Sequence, residues 1–94
     1  AIVDPGLGLI KQQLAAEMAA DGIDTRPFFY PLSWQPAFRN QPSAAGAEAR
    51  NPVAYALSPH GINLPSGYNV TEAIAHRVAA SLRAAIARKA ARAA

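Results

Sequence analysis

The scarcity of large apolar side chains constrains this chain more than any other feature. Hydrophobic residues make up 51% of its 94 residues, but 23 of those 48 are alanine, which leaves 25 Ile, Val, Leu, Met, Phe, Trp and Tyr side chains to build a core. A domain of this length buries only about 60–70% of its unfolded surface. The reading is therefore one small domain over residues 1–94, not a large enzyme. With no cysteine in the chain, a disulfide framework, a thiolate metal site and a cysteine nucleophile are excluded. No apolar run approaches the roughly 18–20 residues of a membrane span. The start, AIVDPGLGLIKQQL, lacks the basic stretch of a signal peptide, so a soluble cytoplasmic protein with no membrane partner is expected.

The larger apolar residues are patterned. The opening AIVDP reads as the last part of a strand stopped by Asp4-Pro5. Leu7, Ile10, Leu14 and Met18 recur at helical spacing, which predicts an amphipathic helix over residues 7–20 with Lys11 on its polar face. Asp21-Gly22 should end it, with Ile23 folding back as the apolar residue after a left-handed cap. In the following IDTRPFFYPL, three aromatics favour extended structure while Pro27 and Pro31 each lack a backbone donor, so an edge strand is expected. Residues 33–52 read as a long loop with a short helical turn around Ser43–Arg50; a loop of that length in so small a domain is usually functional or disordered. Val53, Ala54 and Leu57 predict a short helix. Ile74, Val78, Leu82 and Ile86, four apart behind an N-capping Thr71, predict a last helix with those four on its buried face. No large apolar residue follows Ile86, so residues 87–94 are expected to fray.

Charge is uneven. Residues 1–72 hold Lys11, Arg26, Arg39, Arg50 and all six acids, whereas residues 73–94 hold five basic groups and no acid. One reading of this is a free-standing module that binds an acidic partner or nucleic acid through the basic last helix. The favoured reading is a solvated helix face whose cations suit the negative end of the dipole. No aromatic interleaves them as single-strand binding favours, so nucleic acid is not an expected partner.

Most other residues with chemical potential find structural explanations. His60 and His76, without cysteine or a carboxylate at ligand spacing, make no metal site. Ser58-x-His60 lacks a nucleophile elbow and reads as a turn. PGLG lacks the Lys-Ser/Thr of a phosphate loop. The cluster with the character of a binding site is Arg26 beside Phe28, Phe29 and Tyr30: a guanidinium for a carboxylate or phosphate, and aromatic faces for a ring. Three aromatics on a strand are also ordinary core, and composition alone leaves both readings open.

Two segments go further. GIDTRPFFYPLSWQPAF (Gly22 to Phe38) and NPVAYALSPHGINLPSGYNVTE (Asn51 to Glu72) resemble the carboxy-terminal part of the DegT/DnrJ/EryC1/StrS aminotransferases, nearest the perosamine synthetase-like members. The resemblance runs from Ala1 to about Ile86. It implies an α/β fold, the small C-terminal domain of a fold-type I aminotransferase, with short antiparallel edge strands packed with two main helices. It also implies a pyridoxal phosphate enzyme that moves an amino group from glutamate onto a keto sugar bound to a nucleotide. Such an enzyme works as a homodimer.

In that family the cofactor lysine, the acid that meets the pyridine nitrogen and the phosphate-holding residues lie in a large upstream domain. The resemblance therefore implies a chain that binds no cofactor and is inactive alone, with the large domain and a second subunit as partners. Carried over residue by residue, Arg26 would meet an anionic group of the donor or sugar nucleotide, with Phe28, Phe29 and Tyr30 as walls. Ser33 stands where many members have His, and Leu64-Pro65-Ser66 resembles a turn that holds the last helix to the sheet.

Overall fold

The computed structural model describes residues 1–93. Its α-helices are α1 (Lys11–Ala20), α2 (Ala47–Arg50), α3 (Pro52–Leu57) and α4 (Glu72–Ala93). Strands β1 (Arg26–Pro27) and β2 (Ile62–Asn63) pair antiparallel, Arg26 opposite Asn63 and Pro27 opposite Ile62. The pairing is short because Pro27 has no N–H to give the ladder. Beyond β1 the Phe28 N–H reaches Gly61 O at 3.3 Å. The opening segment also joins β2: Ile62 N–H donates to Ala1 O at 2.8 Å, and Ile2 forms a single antiparallel bridge with Gly61. Gly61 has to be glycine, since a Cβ there would lie 2.5 Å from Phe28 Cβ. The α/β arrangement of short antiparallel strands and two main helices, α1 and α4, is the expected one.

The start of α1 differs from expectation. The Asp4 carboxylate accepts from Gly6 N–H at 2.8 Å, Pro5–Leu7 forms a single 3₁₀ turn, and Gly8 at φ 65° stops it. The helix therefore begins at Lys11 rather than Leu7, with the Gln13 side chain accepting the Ile10 N–H. Leu7 and Ile10 are exposed, and Leu9 is buried instead. Lys11, expected on the polar face, is buried with Leu14 and Met18. At the other end the expected cap forms: Gly22 takes φ 75°, Ile23 N–H returns to Met18 O at 3.0 Å, and the Ile23 side chain is buried.

The core gathers Val3, Leu9, Leu14, Met18, Ile23, Ile62, Val78 and Ala85. Thr71 Oγ1 accepts from Ile74 N–H, as expected of an N-cap. The buried face of α4, however, is Val78, Ser81 and Ala85; Leu82 and Ile86 pack at its flank, and Ile74 is 40% exposed. Polar contacts set this phase: Ser81 Oγ donates to Asp21 Oδ2 at 2.6 Å and Arg77 to Asp21 O at 2.8 Å, which lays small residues of α4 on the end of α1.

Residues 87–93, expected to fray, are helical, and Ala94 lies outside the described residues. What holds these turns is charge rather than apolar packing. Arg88 Nε lies 2.7 Å and Arg92 Nη1 3.2 Å from the Glu17 carboxylate on α1. The hydrogen bond from Arg88, joined by Arg92 and partly opposed by burial, lowers the Glu17 pKa. A carboxylate lowered in the folded state contributes stability that is fully present above its unfolded value of about 4.3 and is lost as pH falls through the folded value. The protection of the amides of residues 88–93, measured relative to their intrinsic exchange rates, should accordingly fall below about pH 4, and Glu17→Gln should lower it in the same way at pH 7.

Candidate functional site

The segment from Arg26 to Trp34 leaves β1 as extended chain and ends in a 3₁₀ turn over Leu32–Trp34. The molecule is a slab of 47 × 39 × 18 Å with a radius of gyration of 15.6 Å, against about 12 Å for a compact chain of this length. Apolar side chains consequently stay uncovered along this edge, with Phe29 77% exposed and Leu32, Trp34 and Phe38 also open.

The four side chains expected to act together point to different places. Arg26 and Phe29 line one broad groove of about 850 Å³ with Asn63, Asn69 and Arg77. Phe28 is half-buried against Gly61, its ring 5.9 Å from that of Phe29. Tyr30 turns toward α1, its ring centroid 3.5 Å below the Lys11 ammonium and 6.2 Å from Trp34. Among the described residues Arg26 is held by the Asp24 side chain alone, at 3.4 Å, and both side chains are largely exposed. A pair that open to water contributes little, so the guanidinium keeps donors for an anion.

A second cleft, of about 450 Å³, lies over Leu32, Ser33, Phe38, Arg50, Asn51 and Tyr55. The Ser33 and Tyr55 hydroxyls are hydrogen-bonded to each other, and the Tyr55 ring meets Trp34 edge-on at 5.2 Å. Arg50 donates to Ser43 O and Ala45 O at 2.7 Å, which ties the loop across α2. Sequence reasoning missed Arg50 and Tyr55. The signal available was the length of the proline-punctuated loop.

Ser58 and His60 do not form a catalytic pair. Ser58 Oγ donates to Phe29 O at 2.8 Å, and His60 Nδ1 meets Leu9 O at 2.6 Å, so the turn reading holds. Among the described residues, no three His, Cys, Asp or Glu side chains group as a metal site, and no helix is long and apolar enough to cross a membrane.

The model of the DegT/DnrJ/EryC1/StrS aminotransferase family matches residues 3–83, a span that holds both the Arg26 edge and the Ser33–Tyr55 cleft. The chain belongs to that family. No curated protein and no solved structure matches it. DegT/DnrJ/EryC1/StrS enzymes depend on pyridoxal phosphate, a cofactor that supplies an electron sink for amino transfer. The described residues of this family member do not fit it. Lys11 Nζ is taken up by Phe28 O, Ser58 Oγ and the Tyr30 ring. Lys89 lines a shallow groove with Glu17, but that carboxylate is bound by Arg88 and Arg92, and no aromatic ring lines the groove. The reading of α4 as a basic docking surface finds no support either, because Arg77, Arg88 and Arg92 are turned onto α1 and its end.

Proposed function

We propose that this chain is the small-domain part of a nucleotide-sugar aminotransferase. The observation that carries the reading is the family match, which takes in both TRPFFYPL and INLPS. In this reading, pyridoxal phosphate and the residues that hold it belong to a large domain, and the enzyme is a cytoplasmic homodimer that moves an amino group from glutamate to a keto sugar carried by a nucleotide. Within the family, the reading takes the perosamine synthetase-like members as its pattern, on the resemblance of TRPFFYPL and INLPS. Arg26 meets an anionic group of donor or sugar nucleotide, Phe29 forms a wall of the same groove, and Phe28 and Tyr30 act from behind by supporting the edge. Support for this arrangement comes from the shared groove of Arg26 and Phe29 and from the weak hold of Asp24 on Arg26.

The test is an assay of the enzyme that carries this chain, with glutamate as donor and keto sugar nucleotides as acceptors, read as release of 2-oxoglutarate. Turnover with a sugar nucleotide, and none with simple 2-oxo acids, is the expected result. The opposite preference would remove the substrate assignment.

A further inference from the structure

Lys11 stands where a lysine is costly. It is the first residue of α1, at the positive end of the helix dipole. It is 3% exposed, and among the described residues none of the ion pairs involves it. Burial lowers its pKa. A methionine would fill similar space without the desolvation.

The amine achieves something an apolar side chain would not. Its Nζ donates to Phe28 O at 3.0 Å and to Ser58 Oγ at 3.3 Å, and faces the Tyr30 ring. Ser58, fully buried, donates its own hydroxyl hydrogen bond to Phe29 O at 2.8 Å. Two successive carbonyls are thus taken by one linked pair of donors. The same stretch has little other backbone support: Pro27 and Pro31 have no N–H, and Phe28 N–H makes a long bond to Gly61 O.

We infer that Lys11, working through Ser58, is the positioning residue of the Arg26–Phe29 edge. It fixes the path of residues 28–30 and so the direction in which Arg26 and Phe29 face their groove. Its purpose rests on the reading that this edge meets substrate; its geometry does not.

Amide hydrogen exchange on the whole 94-residue chain tests this. The Ile62 amide, bonded to Ala1 O, serves as the reference for general opening, and the Phe28 amide reports the edge. In Lys11→Met, Phe28 should exchange about tenfold faster or more relative to Ile62, the effect of losing a hydrogen bond to a charged donor. Met18→Ala, a core truncation, should speed both amides together and leave the ratio alone. Lys11→Arg should restore part of the ratio. An unchanged ratio in Lys11→Met overturns the inference. Should that variant not fold, Ser58→Ala decides: a ratio raised by about threefold supports the pair, and an unchanged one overturns it. Arg26→Lys leaves the ratio at its original value whether or not Arg26 binds substrate, so the substrate reading and this inference fail separately.

Discussion

Leu14→Ala should lower the stability of the chain by about 2–5 kcal/mol, the range for truncating a fully buried leucine into a cavity its neighbours fill only in part. Leu14 is 0% exposed, and the cluster around it joins the opening segment, α1, β2 and α4. Small domains have about 5–15 kcal/mol in all, so the variant gives up a large share of it. Urea unfolding followed by circular dichroism measures the loss. Leu82→Ala, at the centre of the stripe that periodicity alone marks as buried, should lose less because Leu82 is only partly covered. Equal losses at the two positions would contradict the observed phase of α4.

Arg26→Lys, made in the enzyme that carries this chain, should lower kcat/KM by about one to three orders of magnitude, or roughly 1.4–4 kcal/mol, with the cofactor spectrum unaltered. Lysine keeps the charge but loses the planar fork that grips a carboxylate or phosphate at two points. The competing account is that Arg26 serves only its exposed pair with Asp24 at 3.4 Å. A pair that open is worth little, and the substitution would then leave kinetics within about twofold. Rates near those of the unsubstituted enzyme for both donor and acceptor would end the assignment.

The candidate site was legible in composition but not in arrangement. Arg26 beside three aromatics marked the edge, and the motifs TRPFFYPL and INLPS marked the family, because both are patterns of neighbouring residues. Only Arg26 and Phe29 share a groove, however. Phe28 is drawn back by Gly61 and Tyr30 by Lys11, partners 33 and 19 positions away along the chain.

Features governed by a few adjacent residues were determined by the sequence alone. Gly22 and Ile23 close α1 as a left-handed cap, Thr71 caps α4, and Pro27 and Pro31 keep the edge strand short, since each effect is set by local backbone chemistry. Tertiary structure decided which faces turn inward. Gly8 breaks the expected first helix and resets its phase, so Lys11 comes inside; its burial is tolerable only because Phe28 O and Ser58 Oγ, 17 and 47 residues on, solvate the ammonium. The phase of α4 likewise follows from Asp21, which takes the Ser81 hydroxyl across 60 residues, and its last turns from Glu17, which holds Arg88 across 71. Periodicity records which residues are apolar, whereas the depth of each depends on partners brought close only when the chain has folded.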